Sequence, residues 1–193
     1  MIKRALFLAL LLAPTALAQA PAPEDPAPLI DEARTAYAAG ELGTARRALE
    51  RATIAVASRQ GQAIRAILPQ PFEGWTVIDS DVGAISLAVY GGGLSVDRTY
   101  TSADGTDVRI EIMADSAMVE QMAAMYGDAQ MAQMMGMKTE TIAGQPAVID
   151  PTSGQITIIV DKRTSFSITG SASQDVRRSY AENIDFAAFM AIK

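Results

Sequence analysis

The sequence predicts an α+β fold, in which an antiparallel sheet packed with helices is preceded by an N-terminal helical hairpin. Residues 94–113 alternate apolar and polar side chains around Asp104-Gly105, the pattern of an antiparallel β-hairpin. The block at 29–68 is helical in character and ends at Pro69, because proline cannot continue a helix. The remaining segments imply few parallel crossovers, which favours α+β over α/β.

The N-terminus has the pattern of a cleavable secretory signal. Lys3 and Arg4 precede a short apolar run, and Ala16-Leu17-Ala18 forms a small-x-small cleavage site. The run is shorter than the roughly 20 residues that a membrane-spanning helix needs. We therefore predict export to a Gram-negative periplasm, with cleavage after Ala18 and no membrane anchor.

The composition indicates four consecutive parts. They are a signal peptide at 1–18, a Pro/Ala-rich linker at 19–28, a helical hairpin at 29–68 and an α+β sheet domain at 69–193. Without the signal peptide the chain has 14 basic and 22 acidic residues, a net charge of −8. Such a surface repels phosphate groups, so nucleic acid is not an expected partner.

The helical hairpin divides at Gly40 into a short helix near 29–39 and a longer one near 42–68. Part of it, at 33–52, resembles one unit of a tetratricopeptide repeat. The matching small and large packing positions are Ala33, Gly40, Leu42, Ala45, Leu49 and Ala52. Repeat arrays need about three units to bury their cores, so one unit does not imply a binding solenoid. A plain alanine-rich helix pair explains the same pattern.

The sheet domain is predicted to contain eight strands and two helices. The helices are expected at 116–135 and 174–192, and the strands at 74–79, 84–90, 94–102, 106–113, 137–143, 146–150, 155–160 and 164–169. With LPQPFEGWTV leading into the sheet, residues 67–192 resemble the PsbP-like fold of small luminal and periplasmic proteins. That resemblance implies an antiparallel sheet between helices and an accessory or assembly role, and it carries over no functional residues.

The residue inventory excludes several kinds of chemistry. The chain has no histidine and no cysteine, so histidine bases, thiol nucleophiles and iron–sulfur ligation are impossible. No serine lies three residues before a lysine of the mature chain, so the SxxK arrangement is absent. A pair of carboxylates is the remaining ordinary catalytic device, which leaves a carboxylate-dependent hydrolase as a weaker alternative. No cofactor is predicted.

A concentration of methionines lies between the predicted hairpin at 94–113 and a second predicted hairpin at 156–169, and it is the most unusual feature. The candidate site comprises Met118, Met122, Met125, Tyr126, Met131, Met134 and Met135. The first three methionines are spaced i, i+4, i+7 and therefore share one helical face, and Met131, Met134 and Met135 do the same after a break at Gly127-Asp128. That face has three interpretations: core packing, with Met122 and Met125 against apolar neighbours; a groove for a partner; or copper(I) ligation by Met118, Met122 and Met125.

The sequence thus predicts a non-enzymatic exported domain that binds a protein partner or an apolar small molecule. A methionine-rich, copper(I)-handling periplasmic protein is the alternative.

Overall fold

The structure is a computed structural model that describes residues 24–80, 83–84 and 93–192. Six helices are defined within these residues: α1 Pro26–Ala38, α2 Leu42–Ala66, α3 Ala117–Tyr126, α4 Ala129–Met134, α5 Gln174–Glu182 and α6 Phe186–Ala191. The strands are β1 Trp75–Asp79, β2 Gly83–Ala84, β3 Leu94–Ser102, β4 Asp107–Ala114, β5 Lys138–Ile142, β6 Gln145–Ile149, β7 Ile156–Val160 and β8 Thr164–Thr169.

All strand pairs in the sheet are antiparallel. The strand order is β1-β3-β4-β8-β7-β6-β5, and the short β2 also pairs with β3. Strands β5 to β8 form a meander whose last strand lies beside β4, so α3 and α4 carry the chain from the middle of the sheet to its β5 edge. The α+β prediction is confirmed, and strands β3 and β8 have the predicted bounds.

One face of the sheet forms the main hydrophobic core. Phe166 on β8 lies opposite Ile112 on β4 and Ile158 on β7, and all three side chains are buried. The Phe166 ring meets the rings of Phe186 and Phe189 on α6 edge-on, at centroid distances of 5.1 Å each. The alternating apolar pattern of these strands therefore places α5 and α6 over this face.

The end of α2 belongs to this same core. Ile64, Ile67 and Leu68 are buried in the cluster that contains the strands. Two tyrosines hold the loop that follows. The Tyr100 hydroxyl donates a hydrogen bond to the Pro69 carbonyl at 2.7 Å, and the Tyr180 hydroxyl accepts one from the backbone N–H of Phe72. The last turns of the helical segment thus help to stabilise the sheet domain.

The helices α1 and α2 pack against each other through small side chains. The buried residues between the two helices, which we call the seam, are mostly alanines: Ala33, Ala36, Ala45, Ala48, Ala52 and Ala55, together with Leu29. Gly40 makes the turn with a φ of +77°, as predicted for the division of the hairpin. Helix α1 begins at Pro26, three residues earlier than the linker prediction allowed, because Asp25 caps the helix and proline fits its first turn.

Two predicted helical segments are each divided in two, the first at the break that the sequence predicts and the second at a break that it does not. The segment at 116–135 breaks at Gly127-Asp128, where the Asp128 carboxylate accepts from the first backbone N–H groups of α4 and starts a new helix. The segment at 174–192 breaks after Glu182, and Asp185 caps α6 in the same way. Short polar residues that cap helices compete with helix continuation.

Some predictions concern residues outside the described part of the chain. The signal peptide at 1–18 lies there entirely. The linker does so up to residue 23, and the strand predicted at 84–90 does so apart from its first residue.

Candidate functional site

Helix α3 is anchored on the face of the sheet opposite the main core. The Ser116 hydroxyl accepts from the backbone N–H of Val119 at 3.3 Å and caps the helix. The buried residues of α3 are Val119 and Ala123. These small and branched side chains bring the helix close to the strands, because neither holds it away from the sheet as a longer side chain would.

The methionines lie on the outer flank of this helix pair. Met118 and Met125 are 37% and 41% exposed, and Met122 between them is half-buried. On α4 and its C-terminal end, Met131, Met134 and Met135 are exposed as well, while Ala132 is the buried residue. We call the five exposed methionines, with Met122, the methionine surface.

The prediction that Met122 and Met125 pack among apolar core neighbours is therefore wrong for Met125. The i, i+4, i+7 spacing does place these methionines on one flank, but the adjacent row that contains Val119 and Ala123 faces the sheet. A helix that must lie close to a sheet buries its small residues, since long side chains facing the strands would overpack the interface.

An open groove separates the C-terminal half of α3 from strands β5, β6 and β7. It consists of three adjoining clefts of about 290, 340 and 230 Å³, and Tyr126 and Val148 line all three. We call it the Tyr126 groove. The further apolar lining comes from Pro146, Ile159, Ala123, Met122 and Met137. Because Met122 lines the groove, the groove and the methionine surface adjoin.

Charged and polar groups surround this apolar groove. The β7–β8 turn presents Asp161 and Lys162, which adopt positive φ values of 50° and 57° and form one end. Asp150 forms the other end, and hydrogen bonds from the Thr152 backbone N–H and the Ser153 hydroxyl hold the pKa of its carboxyl below the usual range. A ligand would therefore meet a floor of apolar residues and Thr157 between charged ends.

Of the residues predicted for the site, the structure brings Met122 and Tyr126 to one groove. The other five methionines of the predicted site are absent from its lining. Sequence reasoning missed Val148, Pro146 and Ile159, which contribute the strand side of the groove. Val148 and Ile159 follow the alternation of β6 and β7, so the period-2 pattern marked them as facing away from the main core.

Carboxylates with shifted pKa values lie away from the groove or at its rim. One of them is Asp79, whose carboxylate forms an ion pair with Arg98 at a distance of 2.5 Å. The hydrogen bond from the Arg98 guanidinium is the largest influence on Asp79 and lowers its pKa. A lowered pKa suits a structural anion, whereas a general acid needs a raised one.

A separate cleft of about 540 Å³ lies at the edge strand β5, where Arg178 on α5 forms an ion pair with Glu140. The hydrogen bond that the Arg178 guanidinium donates to the Glu140 carboxylate is the largest influence on the pKa of Arg178, and it raises that pKa. The second Glu140 oxygen is buried without a hydrogen-bond partner. Such an ion pair ties α5 to the sheet edge and does not itself define a reactive site.

Two further observations bear on the site. Among the residues that the structure describes, histidine, cysteine, aspartate and glutamate form no group of three or more that could hold a metal ion. Within the same residues, none of the helices is both long and apolar enough to cross a membrane.

Comparisons with protein-family models, with curated proteins and with solved structures find no match to this chain. The resemblances to the PsbP-like fold and to a tetratricopeptide unit therefore stay predictions from the sequence.

Proposed function

We propose that this chain is an exported, non-enzymatic binding protein that docks an apolar segment of a protein partner in the Tyr126 groove and on the methionine surface. The observation that carries the proposal is the continuity of these two features. Exposed thioethers on α3 border an apolar groove through the shared residue Met122. Methionine is flexible and polarisable, and it suits surfaces that adapt to an apolar partner.

A protein segment fits this site better than an enclosed small molecule. The three clefts are adjoining, open depressions of about 230 to 340 Å³ between the C-terminal half of α3 and the sheet. Sites for small molecules are commonly single pockets that bury most of the ligand surface. A row of shallow clefts instead matches successive side chains of an extended or helical partner segment.

The test compares charge substitutions at two exposed methionine positions. Lysine at Met118 and Met125 should abolish binding, since it places two hydrated cations on the docking surface. The matched control is Met190→Lys, because Met190 on α6 is also exposed but belongs to another surface. All three proteins are immobilised, exposed to periplasmic extract, and the retained proteins are identified.

The proposal predicts a protein retained by the wild type and by Met190→Lys but not by the double variant. Its direct contact with α3 is then checked with a photo-crosslinking amino acid at position 125, for which position 190 is the control. Equal retention by all three proteins, or crosslinking from position 190 alone, would contradict the proposal.

Copper(I) binding is a second candidate, supported by the position of Met118, Met122 and Met125 on one flank of α3. Thioethers bind the soft copper(I) ion without losing a proton. A competition titration distinguishes the two functions. We expect affinity no tighter than micromolar; a tight one-to-one complex that is lost in Met122→Leu/Met125→Leu would instead favour the copper function.

A further inference from the structure

A second apolar surface lies on the helical hairpin, far along the chain from the methionine surface. Five large side chains are exposed there, all on the first two helices. They are Ile30 at 50%, Tyr37 at 72%, Leu42 at 65%, Leu49 at 54% and Val56 at 47%. We call them the hairpin face.

These side chains form one row on each helix. Ile30 and Tyr37 are seven residues apart on α1, and Leu42, Leu49 and Val56 have the same spacing on α2. Seven residues correspond to about two helical turns, so each row runs along one side of its helix.

Both rows lie on the same side of the hairpin. Four of the five exposed residues directly follow a buried residue of the seam: Ile30 follows Leu29, Tyr37 follows Ala36, Leu49 follows Ala48 and Val56 follows Ala55. One residue rotates a right-handed helix by about 100°. In two antiparallel helices that face each other, the same rotation turns both rows towards the same surface.

The size of the hairpin face is sufficient for a stable interface. At the observed exposures the five side chains present roughly 600 Å² of surface, so two such faces together would bury roughly 1,200 Å², the lower end of the range for stable complexes. Contiguous apolar patches on monomeric proteins seldom exceed a few hundred Å². A covered face therefore explains this arrangement better than an exposed one.

We propose that the hairpin face pairs with the hairpin face of a second copy, forming an antiparallel four-helix bundle about a two-fold axis parallel to the helices. In this arrangement α1 of one copy lies over α2 of the other. From the rise of about 1.5 Å per residue, Tyr37 falls between Leu42 and Leu49 of the second copy, and Ile30 falls between Leu49 and Val56. Because the row on α1 of one copy and the row on α2 of the other have the same spacing, they interdigitate without any change in the conformation of the hairpin.

The charges on the two helices favour the same pairing. Residues 24–38 contain four acids and one base, Arg34, a net charge of −3, whereas α2 contains five arginines and one acid, Glu50, a net charge of +4. The pairs Arg51–Glu24 and Arg59–Asp25 already join the helices within one copy. Placing α1 over α2 of the second copy again brings opposite charges together, which favours this pairing over α1 against α1.

The test measures the mass of the purified protein by light scattering across a dilution series. We expect twice the mass of one chain for the wild type and the mass of one chain for Leu49→Gln/Val56→Gln. The matched control is Ile54→Gln, because Ile54 is 61% exposed on α2 but points away from the hairpin face. Circular dichroism confirms that each variant keeps its helices.

Cysteine pairing identifies the surface independently, since the native chain has no cysteine. A short bismaleimide should link mixed Tyr37→Cys and Leu49→Cys proteins between copies, whereas it should not link mixed Tyr37→Cys and Ile54→Cys proteins. The proposal is overturned if the wild type is monomeric throughout, if the dimer survives Leu49→Gln/Val56→Gln, or if Ile54→Cys crosslinks as well as Leu49→Cys. A monomer that instead binds an amphipathic helix of another protein also overturns it.

Discussion

The helical hairpin and the sheet domain use apolar residues in opposite ways. The hairpin buries alanines and exposes Tyr37, Leu42 and Leu49, whereas the sheet buries large side chains such as Phe166 and Ile110. A buried methyl group stabilises a fold by about 0.8 kcal/mol, and a fully buried large apolar side chain by about 1.5 to 3 kcal/mol. The hairpin therefore gains less from its own packing than the sheet does.

This difference separates residues that hold the fold together from residues available for binding. In the sheet, removing a large side chain leaves a cavity in a densely packed core. In the hairpin, the large side chains touch solvent and the small ones hold the seam. The following substitutions test that distinction, beginning with the largest expected effect.

Truncation of the central aromatic side chain should damage the sheet most. Phe166→Ala is expected to lower the free energy of unfolding by about 3 to 5 kcal/mol, because it empties the space between Ile112 and the α6 rings. Urea unfolding provides the measurement, with the exposed Leu49→Ala as the control. If Leu49→Ala costs as much in the monomeric state, the contrast between the two regions is wrong.

High pH should destabilise the sheet domain through its buried tyrosines, since burial raises the pKa of Tyr100 and also that of Tyr180. Burial raises the pKa of the Tyr100 hydroxyl to about 12, against about 10 when unfolded, so the neutral phenol favours the folded state. That contribution is complete below pH 10 and is lost as the pH rises from about 10 to 12. We expect it to account for about 2 to 3 kcal/mol of the alkaline loss of stability.

The measurement is urea unfolding at several pH values for the wild type, Tyr100→Phe and Tyr37→Phe. Tyr100→Phe should be less stable at neutral pH, because the Pro69 carbonyl loses its donor, but should lose less on going to pH 12. Tyr37 is exposed in the hairpin and serves as the control. An alkaline loss that is the same in all three proteins would assign the effect to other groups.

Enlarging a seam residue should disturb the hairpin. Ala48 is 1% exposed between the two helices, and Ala48→Leu is expected to cost about 2 kcal/mol through overpacking. The matched substitution Ala38→Leu lies outside the buried set of α1 and should change stability little. Thermal unfolding followed by helical circular dichroism checks both; a tolerated Ala48→Leu would show that the seam has spare volume.

Substitution of a turn glycine should have the same effect on stability in both regions, because each turn requires only a positive φ at that residue. Gly105 has a φ of +85°, Gly40 has +77°, and an added Cβ at either position meets no atom within 4 Å. The cost of valine is therefore backbone strain alone, about 1 kcal/mol at each position. Asparagine, which tolerates positive φ, is the control at both sites. A much larger cost at only one of the two glycines would mean that its turn is coupled to the core.

Local patterns were sufficient to predict most of the sheet. Strands β3 and β8 have the predicted bounds, and the Asp104-Gly105 turn joins β3 to β4 as expected. These elements depend on alternation and turn residues, which act between neighbours in the chain. The break at Gly127-Asp128 was also predicted, whereas the end of one helix before Asp185 and the start of the next after it were not.

The sequence by itself determined that the methionines share a helical flank and that the hairpin is rich in alanine, because helical periodicity follows from residue spacing. Only the tertiary structure decided which flank is buried. On α3 the buried row contains Val119 and Ala123, and on α2 it contains Ala48 and Ala52, so Met125 and Leu49 are left exposed. Hydrophobicity alone predicts that Met125 and Leu49 are buried and that the alanines are exposed. Close approach of one element to another favours small residues at the contact, and that approach is set by the packing of the whole domain.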